Sequence, residues 1–128
     1  MSNQGSAAIK VEHIKEEIRK ITECREKINN ESYLASEKET ISLDTFNRIQ
    51  GRIQLMDAEI IDLKLKATQI QLDEITAPTN SSATQITTAR KKLEKAAGDI
   101  TQINKLFDAI DDAIKAVREL IKFVARHA

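Results

Sequence analysis

The sequence predicts an all-α fold, an elongated up-down-up antiparallel three-helix bundle of coiled-coil character with a long C-terminal helix. Two observations carry this expectation. Apolar residues recur at alternating steps of three and four through most of the chain, and helix-breaking residues are scarce, with three Gly and one Pro among 128 residues. The apolar set agrees, because Ile, Leu and Ala dominate, Trp is absent and aromatic residues make up 3%, which suits helix seams better than a β-sandwich core. A chain of this length is expected to form one helical-bundle domain over residues 1–128.

The first helix is predicted over about residues 6–30 or longer. Its seam reads Ala7, Val11, Ile14, Ile18, Ile21, Arg25 and Ile28, with Lys and Glu on the opposite face. Asn29-Asn30 resembles an end and Ser42-Leu43-Asp44 a start, yet the phase is never lost between them and neither Gly nor Pro intervenes. The second helix is predicted over about residues 44–76 on the seam Phe46, Ile49, Ile53, Met56, Ile60, Leu63, Ala67 and Ile70. A second stripe on its later half, Ala58, Ile61, Leu65, Thr68, Leu72 and Ile75, predicts contact with two neighbours. Pro78, followed by Thr79-Asn80-Ser81-Ser82, marks the clearest turn.

The third helix is predicted over about residues 82–126, reaching about 67 Å at about 1.5 Å per residue. Its seam runs from Ile86 through Leu93, Ile100, Ile103, Phe107, Ile110, Ile114 and Val117 to Val124. Ala97-Gly98-Asp99 is the doubtful point, since Gly lowers helix propensity by about 1 kcal/mol and Asp99 can cap a new helix. The seam passes through Gly98 in phase, so the expectation is a continuous helix, with a break at Gly98 and four helices as the alternative.

Straight helices of these lengths leave the third helix beyond about Lys115 with no second helix beside it. That overhang carries Val117, Leu120, Ile121, Phe123 and Val124. It must be covered by the segment from Asn29 to Leu43, by a second copy of the chain, or by another partner or lipid. The expected function is therefore a non-enzymatic interaction or assembly protein that binds itself or another helical protein through these five residues. The polar face of the same tail, Lys115, Arg118, Lys122 and Arg126, makes a basic amphipathic helix, so docking on an anionic membrane surface is the alternative. Basic residues near a helix C-terminus are also favoured by the helix dipole in any setting.

Twenty basic and twenty acidic residues cancel, which removes the global positive field expected of a nucleic-acid binder. The N-terminus shows no secretory signal and no stretch approaches a membrane span, so a cytoplasmic location is the default expectation, with leaderless export left open. Cys24 stands alone, so no internal disulfide is expected and a packing role is assigned to it. No phosphate loop, dinucleotide fingerprint or nucleophile elbow is present. The best metal candidate, Glu12-His13-x-x-Glu16-Glu17, lacks the second ligand pair that a bundle site needs and reads as a solvated helix face. His127, beside the terminus, reads as frayed. No catalytic residue, metal, cofactor or small-molecule substrate is expected. Arg25, charged yet at seam phase, is expected to fix register by pairing with Asp108 or Asp111 on the third helix.

Overall fold

The structure, a computed structural model, describes residues 5–126. His127 and the last residue of the predicted tail lie outside them. Strand β1 (Ser6–Lys10) leads directly into helix α1 (Val11–Glu37), and α2 (Leu43–Ala67) follows. Strand β2 (Glu74–Pro78) and a short 3-10 turn (Ser82–Gln85) then precede α3 (Ile86–Ala97) and α4 (Ile103–Ala125). The all-α expectation stands, with a two-stranded sheet as a minor addition. The predicted third helix is two helices, and the alternative of a break at Gly98 is the arrangement found.

The break is made by local chemistry. Asp99 Oδ1 accepts hydrogen bonds from the Thr101 backbone N–H at 3.1 Å and from the Thr101 hydroxyl, which rewards a turn over another helical residue. Just before it, the N–H groups of Gly98 and Asp99 bond to the carbonyls of Lys95 and Ala96, tightening the last turn of α3. Ile100 is buried within the turn, so the apolar rhythm continues through a segment that is not helical.

The α1–α2 connection closes on a left-handed residue. Glu39 has φ 59°, the Thr40 N–H reaches the Ala35 carbonyl at 2.9 Å and the Glu39 N–H reaches the Ser36 carbonyl at 3.1 Å. This is a Schellman ending with Glu where Gly is usual. α1 therefore runs to Glu37, past the Asn29-Asn30 pair. α2 starts where predicted, with the Ser42 hydroxyl accepting from the Thr45 N–H at 3.1 Å.

α2 stops at Ala67 and not near residue 76, because residues 75–78 alternate: Ile75 and Ala77 are buried while Thr76 and Pro78 are exposed. They pair antiparallel with β1, Ile9 opposite Ile75 and Ala7 opposite Ala77. Ala7, which falls at helix-seam phase, belongs to a strand for the same reason.

α1 packs on α2 and α3, and α4 packs on α2 and α3, so the helices form a ring in the order α1, α2, α4, α3. Cross-links fix the directions. Arg25 meets Asp57 and Asn29 meets Gln50, so α1 and α2 are antiparallel. Arg52 meets Asp111 and Arg118 meets Glu59, so α2 and α4 run parallel. Both strands and the 3-10 turn lie at the end where α1 and α3 begin and α2 and α4 finish, and β2 and the 3-10 turn pack against α4. No described helix is long and apolar enough to cross a membrane.

The left-handed Glu39 yields a stability prediction. A non-Gly residue there carries a steric penalty of about 1 kcal/mol, so Glu39→Gly should raise the unfolding free energy by about 0.5 to 1 kcal/mol in urea titration. A loss of stability would show that the turn is not left-handed at this residue.

Candidate functional site

The five tail residues predicted to meet a partner lie inside the chain's own core. Val117, Leu120 and Val124 have no exposed surface, Phe123 is buried and Ile121 is partly buried against the same cluster. The overhang vanishes because the chain reverses at Gly98: α4 lies along α2 in the same direction, and its last turns are covered by α2, β2 and the 3-10 turn. The basic face is distributed among local contacts. Arg118 Nε donates to Glu59 at 2.9 Å, Lys122 approaches Glu119 at 3.5 Å and the Arg126 guanidinium lies 5.0 Å from the Phe123 ring centroid. Lys115 is exposed.

The expected register pair is also reassigned. Arg25 forks onto Asp57 of α2 with two bonds of 2.9 Å, Asp111 receives Arg52, and Asp108 shares Lys92 with Asp112. Arg25 could not reach Asp108 or Asp111 because α1 and α4 stand diagonally across the ring.

A polar clasp that the sequence did not single out joins α1 to α3. Glu17 is 2% exposed and Arg90 is 7% exposed. Arg90 Nε and Nη2 donate to the two oxygens of Glu17 at 2.8 and 3.1 Å, and Nη1 donates to Glu94 at 2.7 Å. The Thr87 hydroxyl donates to Glu17 at 3.2 Å, which leaves His13 Nε2 to donate to Thr87 at 2.9 Å. Burial pushes the Glu17 carboxyl up, but the hydrogen bonds and charge of Arg90 outweigh it and hold the group below its ordinary value. Spacing gave one clue, since Glu17 falls three residues after Ile14 on the buried side of α1.

His13 and Glu17, the core of the weak metal motif, are thus engaged by α3. Among the described residues no three His, Cys, Asp or Glu side chains stand together as metal ligands. Cys24 is buried, and desolvation pushes its thiol up to about 11, away from thiolate chemistry.

The outer face of α2 is the longest apolar stripe left open among the described residues, with Tyr33 and Leu34 on α1 and Leu72 before β2 exposed elsewhere. Of the second stripe predicted for this helix only Ala58, Ile61 and Leu65 lie on α2, and no second neighbour from the chain covers them: Ile61 is 58% and Leu65 60% exposed, with Leu43 and Leu55 exposed beside them, whereas Thr68, Leu72 and Ile75 fall beyond the helix and Ile75 is buried in β2. Ala58 and Gly51 continue the same face, and a Cβ built on Gly51 would meet nothing within 4 Å. α1 borders this face through Arg25 and Asp57, and α4 borders it through Glu59 and Arg118.

The clasp makes a pH-dependent prediction. A carboxyl held low when folded stabilises the protein fully above the ordinary carboxylate range and loses that contribution as pH falls through the folded value. Arg90→Leu removes the compensating charge, so it should destabilise the fold by about 3 to 5 kcal/mol at neutral pH. The deficit should shrink on acidification as the stranded Glu17 takes up a proton. Denaturant titrations at neutral pH and near pH 4 check this, and an equal deficit at both would mean that Glu17 is not buried beside Arg90.

Comparison with protein-family models, with curated proteins and with solved structures finds no match to this chain.

Proposed function

We propose that this chain is a non-enzymatic helical interaction protein that presents the outer face of α2 to a helix of its partner. The observation that carries the reading is the persistence of Leu55, Ala58, Ile61 and Leu65 as an exposed stripe on a bundle that otherwise closes its seams. Regularly spaced apolar side chains on a rigid helix are what a second helix packs against, and the polar edges at Asp57 and Glu59 would frame such a contact. Membrane docking through α4 loses support, since Val117, Leu120 and Val124 are enclosed in the core.

The reading requires that the stripe does not serve the fold. Replacing Ile61 and Leu65 together by Gln should change the unfolding free energy by no more than about 0.5 kcal/mol, whereas Ile110→Ala in the fully buried core of α4 should remove about 2 to 5 kcal/mol. Both are read by thermal or denaturant unfolding. If the double Gln variant is destabilised as much as the core variant, the stripe is structural and the proposed surface is withdrawn.

A further inference from the structure

We infer that the helix received by this face is α2 of a second copy, laid antiparallel about a two-fold axis beside Leu55. The inference rests on the reading of the outer α2 face as a docking surface and adds the identity of its occupant.

The argument is one of charge and register. On the edge of the face that borders α4, Arg48, Leu55 and Asp62 follow one another at seven-residue spacing. In an antiparallel pair such edge positions meet their own counterparts, with residue numbers that sum to a constant. Centring on Leu55 places it against the partner's Leu55. The same register brings Arg48 to the partner's Asp62 and Asp62 to the partner's Arg48. One turn further out, Lys66 meets the partner's Asp44.

Within one chain the groups are disposed for this. Arg48 has no carboxylate partner among the described residues and rests 4.7 Å from the Phe107 ring centroid. Asp62 is held by Lys66 at 2.7 Å, with acceptor capacity to spare for an arginine. The opposite edge brings Asp57 to the partner's Asp57, and each is already neutralised by its own Arg25. A parallel pairing would set Asp57 beside the partner's Asp62 and leave Arg48 unmatched.

Packing in this register is also complementary. Ile61 falls opposite the partner's Gly51, where the missing side chain leaves room. With Leu55, Ile61 and Leu65 and their polar edges covered on both copies, the pair removes on the order of 1,000 Å² from water, the lower bound for a specific interface. The dimer is therefore expected to be concentration-dependent.

Light scattering during size exclusion, over a hundredfold range of concentration, tests the proposal. The wild-type chain should approach twice its 14.4 kDa mass as concentration rises. Arg48→Asp and Asp62→Arg should each weaken association at least tenfold, and an equimolar mixture should regain it, because both edge contacts are then attractive again. Circular dichroism of each variant establishes that it is folded. A wild-type chain that stays monomeric throughout, single variants that associate like wild type, or a mixture that does not recover would each overturn the second copy as occupant. The docking surface itself is judged separately, by the unfolding of the double Gln variant.

Discussion

The width of the apolar face on α4 governs this fold. Beside its seam of Phe107, Ile110, Ile114, Val117 and Val124, the residues Leu106, Ala109, Ala113, Ala116, Leu120 and Phe123 are also buried, and a single neighbour covers only one side of such a face. α4 therefore needs α2 on one flank and α3 on the other. Only a reversal between Gly98 and Gln102 lets the chain supply both. Once α3 and α4 form a hairpin, α4 must run parallel to α2, and its last turns, level with the end of α2, run past the start of α3 and need a lid there. The sheet of β1 and β2 and the 3-10 turn supply that lid, with Ile9, Ile75, Ala77 and Ala83 facing inward.

The helix seams were legible because burial on one face of a helix imposes a period that no other constraint disturbs. Ile14, Ile21, Ile28, Ile53, Leu63, Leu93 and Ile110 all reach the core as their spacing implied. The errors came where another structure happened to share that period. Ala7 lies four residues before Val11, and Ile75 three after Leu72, so β1 and the first half of β2 passed as helix, while Pro78 marked the turn. Ile100 is buried inside a turn at the position a continuous helix would have buried it, so the break at Asp99 left the rhythm intact. Glu39 gave no sign of its left-handed backbone because that conformation is usually announced by Gly or Asn.

The misassigned surface followed from the same error. Treating α3 and α4 as one rod sent the C-terminal half antiparallel to α2, which produced an overhang at Val117 to Val124 and put Arg25 level with Asp108 and Asp111. Reversal at Gly98 buries the first and separates the second. The second stripe on α2 was visible in sequence, and so was its demand for another neighbour. What sequence could not supply is that the chain's own helices all lie on the other side. The clasp of Glu17 with Arg90 was hidden for a related reason: a buried acid and a buried base on different helices are recognised as a pair only when the helices are known to be adjacent.

The claim on which the rest depends is the hairpin of α3 and α4, and a pair of spin labels tests it most directly. Labels at Gln85 and Lys115, diluted with unlabelled chain, report the distance between two exposed positions that border the same surface depression. A short separation is the result the hairpin requires. A separation near 45 Å, the span of about 30 helical residues, would mean that one continuous helix runs through Gly98 and that α4 is covered by something other than this chain.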